Sequence, residues 1–278
     1  MQEGWAFLAP PFFLPKGNIG LNMFLNNTGG FFCSVSTWFD GVKSDFVKNF
    51  ITDDRWKKIV KGLGETLDIT AIALLIGIVI GICVAAVRTS YDKNFESLKG
   101  RGGIGYYLLK FTNAVCKVYL AVIRGTPVVV QLLIFYFIIL ASVKEGKPVA
   151  MLTFGINSGA YVAEIFRGGI MSIDNGQFEA GRSLGFNYVQ TMRYIIIPQV
   201  FKATLPTLCN EFIVLLKETS VAGYVGIVEL TKAGDIIRGA TFTPLMPLIA
   251  VAVIYLVVVL VLTWLVGKLE RRLRRSER

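Results

Sequence analysis

Residues Glu179–Gln199 read EAGRSLGFNYVQTMRYIIIPQ, and the reading of this stretch decides what the rest of the chain is. It is polar, it is punctuated by Gly181 and Gly185, and it lies between two apolar segments. A connection that only joined two membrane crossings would be shorter and less organised. This one carries helix signals of its own. Asp174 followed three residues later by Gln177 is a capping-box pattern that opens a helix. Gly185 closes that helix after barely two turns, as a C′ glycine does. Asn187 with Gln190 repeats the pattern, and Pro198 suits the first turn of the next helix. The loop therefore reads as helix, sharp turn, helix. Phe186, Tyr188, Met192 and Tyr194 beside Arg182 and Arg193 are the residue types that anchor protein interfaces. A tight turn packed on its own bundle would satisfy the same spacing.

The flanking sequence defines the solvent. The chain has 278 residues, is 54% hydrophobic and only 17% charged, and has a mean hydropathy of +0.58. Soluble domains run at about 25% charged, so this composition points to lipid. Ile69–Val87 is uncharged over close to the roughly 20 residues that cross a hydrocarbon core. Leu245–Val266 is longer, with Trp264 placed as an interfacial anchor. Weaker crossings are expected at Val128–Val143, Val149–Phe166 and Phe201–Val228, which gives an all-α integral membrane protein of about five transmembrane helices. Residues 105–125, with Lys110 and Lys117 on one helix face, read as an amphipathic interfacial helix, a sixth crossing being the rival. Gly77 and Gly81, in IGIVIG, read as a helix-packing face.

The charge is +10, but the basic residues cluster. Residues 88–126 hold seven against two acids, and the tail from Lys268 holds six against two. Both segments are expected in the cytoplasm, with the N-terminus outside. Such clustering at a membrane surface speaks against nucleic acid as a partner. With no histidine the commonest general base and metal ligand is missing, and no metal site is expected. Cys33, Cys83, Cys116 and Cys209 show neither a CxxC pair nor zinc spacing and read as reduced packing residues. No basic start precedes the first apolar stretch, so no secretory leader is expected.

Glu179-Ala180-Gly181, three residues, Gly185, nine residues and Ile195-x-Ile197-Pro198 resemble the EAA loop of permease subunits of ATP-binding-cassette (ABC) importers. Gly181 stands for the second alanine of that pattern and Ile197 for its leucine. Further stretches are similar to the polar amino acid permeases of the same group: Arg124-Gly125-Thr126-Pro127 with Gln131, AYVAEI from Ala160 followed by Arg167-Gly168-Gly169-Ile170, Asn210-Glu211-Phe212, and Leu216–Ser220. The resemblance implies a type I importer permease fold over residues 58–268, an N-terminal extension at 1–57 and a basic cytoplasmic tail at 269–278. It implies coupling to a cytoplasmic ABC ATPase through Glu179, Ala180, Gly181, Arg182, Gly185, Phe186, Arg193 and Pro198. It also implies a second permease copy (identical or related), an extracellular or periplasmic amino acid binding protein, and a bacterial inner membrane location. The sequence has no GxxxxGK[ST], so the chain is expected to be no enzyme and to bind no cofactor, ATP and Mg²⁺ belonging to the ATPase.

Charges within spans cost about 2.5–3.5 kcal/mol or more and therefore face a protein interior or a wet cavity. The expected substrate path is Gln131, Glu164, Asn210, Glu211, Lys217, Glu218 and Ser220. Glu211 and Glu218 are seven apart, about 10 Å along one helix face, where they could meet a substrate ammonium group or join a structural network. Glu164 and Arg167, at i,i+3, favour a structural pair. Two other function classes fit some of these features. An ion-gradient-driven amino acid transporter would use Glu211 and Glu218 as ion sites, and a membrane scaffold would need no buried acids at all.

Overall fold

The computed structural model describes residues 40–99 and 103–275. Readings that fall on residues 1–39, including Cys33, lie outside the described residues. The chain divides into two compact units, Met1–Val47 and Lys48–Arg278. Of the first, residues 40–46 form a helical segment. The second holds all that follows.

Its helices are α1 (Trp56–Lys99), α2 (Ile104–Gly125), α3 (Val128–Ile134), α4 (Gly146–Met171), α5 (Asn175–Ser183), α6 (Tyr188–Thr191), α7 (Ile197–Glu218), α8 (Leu230–Thr241) and α9 (Leu245–Arg275). Among the described residues, α1, α4 and α9 are long and apolar enough to cross a membrane, and α2 with the α3 segment forms a bent pair that qualifies together. Helix α7, at 22 residues or about 33 Å, is long enough to be the fifth crossing expected from the sequence, but its embedded charges leave it less apolar than these units.

The α1–α4 contact is the backbone of the bundle, and glycine makes it possible. Gly77 and Gly81 on α1 meet Gly155 and Gly159 on α4. A Cβ on Gly77 would lie 3.0 Å from Ser158 Cβ, and one on Gly81 only 2.5 Å from Val162 Cγ1. On the other side, a Cβ on Gly155 would lie 2.7 Å from Ile76 and one on Gly159 2.9 Å from Ile80. Two small-xxx-small faces thus interleave, the means by which membrane helices approach closely. Residue numbers rise together along the contact, so α1 and α4 run parallel. The chain between them must return once through the membrane.

That return differs from the sequence expectation. Val128–Val143 is not a crossing helix: α3 runs seven residues, a π-turn at Phe135–Ile139 follows, and the helix is lost at Leu140. About 18 Å of helix cannot span the core. The longer arm is α2, which meets α3 at 110°. Lys117 of α2 sits over the Tyr91 ring near the C-terminal end of α1, whereas α3 places Leu132 beside Ile69 and Ala150. The pair makes the return jointly. The 105–125 segment is therefore not a surface helix, because its outward stripe Ile104, Leu108, Phe111, Val115, Val118 and Val122 is apolar and its inward residues include Asn113 and Cys116. In lipid the apolar face turns out.

Two other boundaries move. The helix expected to end at Val228 stops at Glu218, gives way to a 3₁₀ segment Thr219–Val225, and turns at Gly226 with φ 81°. Helix α8 then follows, unforeseen, and α9 continues unbroken through Lys268 to Arg275. The first residues of the second unit are tied to this end: Asn49 Oδ1 accepts from Thr241 Oγ1 at 2.7 Å and Thr243 Oγ1 at 2.8 Å. Of the free cysteines among the described residues, Cys116 is buried, Cys209 half-buried and Cys83 exposed, so Cys83 is not a packing residue of the interior.

Candidate coupling loop and translocation face

The loop is built largely as its sequence reads. Asp174 caps α5 by accepting from the Gly176 N–H at 2.6 Å. The capping box is not reciprocal, since Gln177 instead accepts from Gln199 Nε2 at 3.2 Å. The far end of α5 is a Schellman turn. Phe186 N–H donates to Gly181 O at 3.0 Å and Gly185 N–H to Arg182 O at 2.9 Å, with Gly185 at φ 77°. At Asn187 the box is complete, both hydrogen bonds with Gln190 being 2.9 Å.

The second short helix does not stop before the next crossing. It passes through a π-turn, Met192–Ile196, directly into α7. Pro198 explains the wide turn, because it has no N–H for the carbonyl one turn back, and the wider register closes on Ile197 N–H to Met192 O. Loop and α7 are one continuous body.

The loop is pinned by residues that spacing did not single out. Phe178 is buried, and Lys93 Nζ from α1 lies 3.3 Å from its ring centroid. Thr191 is buried against Gly181, where any Cβ would lie 2.7 Å from Thr191 Cγ2. This contact accounts for glycine where the resembling pattern has alanine. Met192 also turns inward, onto the cluster around Phe166 and Ile196. What remains outward includes Glu179, Ala180, Arg182, Leu184, Tyr188, Val189, Arg193 and Tyr194. Leu184 and Val189, each 70% exposed, are apolar side chains on an otherwise polar loop. Phe186 is half-buried, 6.2 Å from the Tyr194 ring. Between the short helices lies a polar cavity of about 640 Å³ lined by Lys93, Phe178, Glu179, Arg182, Phe186 and Asn187, among others.

The residues expected in a substrate path separate into three groups. Gln131 is a buried latch at the α2–α3 bend: it donates to Ile123 O at 2.8 Å and Thr126 Oγ1 at 2.9 Å, and accepts from Asn157 Nδ2 at 3.1 Å. Glu164 holds Arg167 at 3.0 Å, with Asp92 3.8 Å from the same guanidinium, a structural network at the loop end of the bundle. Glu211 and Glu218 are half-buried on one side of α7, and Glu211 accepts from Ser158 Oγ at 2.9 Å, beside the Gly77 contact. Asn210 and Lys217 are exposed on the neighbouring face. Ser220 lies apart, in a second polar depression with Tyr224, Glu229 and Lys232 at the opposite end of the molecule from the loop.

Glu229 is the acid that the sequence did not mark. It is fully buried and caps α8, accepting from Thr231 N–H at 2.6 Å and Lys232 N–H at 2.7 Å. Burial pushes its carboxyl above the ordinary range, against the pull of those donors. Its only sequence signal was its place one residue before an amphipathic run.

A parallel helix pair joined by small residues, a bent return crossing and a structured loop fused to a charged crossing helix define a multi-pass membrane permease. The family described as "Binding-protein-dependent transport system inner membrane component" matches residues 102–275. The chain belongs to this family. The glutamine transport system permease protein GlnP of Escherichia coli (strain K12) is 37% identical over 220 residues, 78% of this chain and 93% of the relative. The arginine transport system permease protein ArtQ of Bacillus subtilis (strain 168) is 34% identical over 222 residues, covering 79% and 94%. A solved structure described as an amino acid ABC transporter with histidines superposes with a TM-score of 0.67 at 38% identity, covering 78% of this chain and 94% of that one. The chain is thus a transporter component with the importer permease fold, and the ion-gradient and scaffold readings find no support.

Proposed function

We propose that this chain is the permease subunit of an ATP-driven importer of a polar amino acid, and that it conducts substrate by alternating access. The observation that carries this is the Glu179–Pro198 loop: an ordered helix pair, pinned by Phe178 and Thr191, exposing Glu179, Leu184 and Val189, and continuous with α7. A loop so rigid transmits force to the helix that holds Glu211 and Glu218. The partners are cytoplasmic ATPase subunits docked on the loop, which hold ATP and Mg²⁺, a second permease, and an extracellular or periplasmic binding protein on the opposite end. The names and resemblance of the relatives support an amino acid as cargo.

Charge supports the orientation. The loop end carries Arg88, Lys93, Arg182, Arg193, Lys268, Arg271 and Arg272 against Asp92, Asp174, Glu179 and Glu270, an excess of bases. At the other end Arg55, Lys57, Lys147, Lys232 and Arg238 are matched by Asp53, Asp54, Glu65, Asp68 and Asp235. The basic end belongs in the cytoplasm, and we assign the N-terminal end of α1 to the outside and the C-terminal end of α9 to the inside of a bacterial inner membrane. Glu211 and Glu218 are the acids we assign to the substrate ammonium, Glu211 being oriented by Ser158. The test is uptake into proteoliposomes holding the complete transporter, with ATP supplied on the loop side. Uptake should require hydrolysable ATP and persist when ionophores collapse all ion gradients. Uptake that survives ATP removal and stops with the ionophores would reject the proposal.

A further inference from the structure

On the loop-end half of the bundle, an apolar groove of about 430 Å³ runs between α7 and α9. Leu205, Leu208 and Cys209 of α7 form one wall, and Leu262, Leu265 and Leu269 of α9 the other. No charged residue lines it. The α9 wall is a helical stripe at i, i+3 and i+7, and the next member of the same stripe is Arg272. Arg272 is exposed and forms no ion pair among the described residues. Lys268, also exposed, lies at the edge of the stripe with its Nζ 3.6 Å from the Trp264 ring centroid, the placement of a side chain at a membrane interface.

An apolar channel at membrane depth calls for hydrocarbon. Two cations where that channel meets the interface call for an anion. One class of molecule joins the two. We propose that the α7–α9 groove binds an anionic phospholipid, one acyl chain lying along Leu205 and Leu265 and the headgroup phosphate held by Arg272 and Lys268. Clustered lysine and arginine at the end of a membrane helix are the usual recognition chemistry for such headgroups. Because α7 is continuous with the loop through the π-turn, a chain wedged between α7 and α9 biases the packing of the helix that the loop moves. The groove and its cations sit at one interface whichever side that is, so the lipid site can fail without the transport reading failing, and the reverse.

The test is native mass spectrometry of the intact transporter carried in micelles doped with phosphatidylglycerol or phosphatidylcholine. Selective retention of phosphatidylglycerol is expected, weakened roughly tenfold or more in a Lys268→Gln, Arg272→Gln double variant. Leu205→Trp, which fills the groove, should lower retention of both lipids. If that variant fails to assemble, a bulky maleimide placed on Cys209 of the folded transporter does the same. Equal retention of the two lipids, or retention unchanged by both the charge and the filling changes, would overturn the site. So would efficient Cys209–Cys209 cross-linking between two permease copies, because a second copy would then cover the groove.

Discussion

Valine at position 185 isolates backbone conformation from packing at the one turn on which the loop depends. Gly185 has φ 77°, and a Cβ built there meets nothing within 4 Å. The Cβ of a substituted residue therefore meets no clash, and the left-handed backbone is the principal cost. For an L-residue that conformation costs about 1–2 kcal/mol, more where the side chain is β-branched. A loss of this size lowers the population of the closed turn by about 5–30-fold. The turn also holds Phe186 N–H on Gly181 O and Gly185 N–H on Arg182 O, so opening it frees two helix-end carbonyls and unseats α5 from α6. The series Asn, Ala, Val orders the penalty, asparagine tolerating the conformation best. The assay is ATP-driven uptake and ATPase stimulation per intact complex in proteoliposomes. Insertion and permease pairing should be unchanged throughout, while coupled uptake should fall in the order Gly, Asn, Ala, Val. Full uptake by Gly185→Val, or a loss that is as large for Asn as for Val, would exclude the left-handed turn as a requirement for coupling.

Three further outcomes are expected. Glu211→Gln keeps size and a hydrogen bond to Ser158 but removes the charge, and should raise the substrate concentration for half-maximal uptake by about 10–150-fold with assembly intact; Glu218→Gln tests the same face, and unchanged values in both would return these acids to a packing role. Gly81→Leu forces a side chain into a contact where even a Cβ lies 2.5 Å from Val162, and should lower the thermal stability of the purified complex far more than Gly77→Ala, where the contact is 3.0 Å. Glu229, whose folded value is raised above its ordinary 4.5, contributes most to stability below that pH and loses the contribution as pH rises through the raised value. Hydrogen exchange of α8 should accordingly quicken with pH beyond the intrinsic trend in the parent protein and not in Glu229→Gln.

Local chemistry made the loop legible. Asp174, Gly185, Asn187 and Pro198 act within a turn of themselves, through caps and backbone angles that sequence spacing encodes. The same holds for Gly77 and Gly81, whose spacing alone announces a close helix contact. The return crossing was hidden because hydropathy measures burial in lipid and not direction: Val128–Val143 is apolar enough, yet Gln131 latches to Ile123 and Asn157 and bends the chain at Pro127. Helix α8 escaped because an amphipathic helix at a membrane face is neither apolar enough for a span nor marked by a small N-cap residue, its cap being Glu229. The anchors Phe178 and Thr191 depend on partners ten or more residues away, which no local pattern contains.

The Glu179–Pro198 end of the molecule, and not the Tyr224–Thr243 end, is the face proposed to meet the ATPase. The direct measurement is site-specific photo-cross-linking in the assembled, membrane-embedded transporter, with a photoreactive residue placed at 182, 184 or 189 on the loop, or at 224 or 242 on the opposite end. Adducts to the ATPase subunit are expected from all three loop positions, changing in yield when ATP is added, and none from 224 or 242. Adducts from 224 or 242 with none from the loop would contradict that assignment.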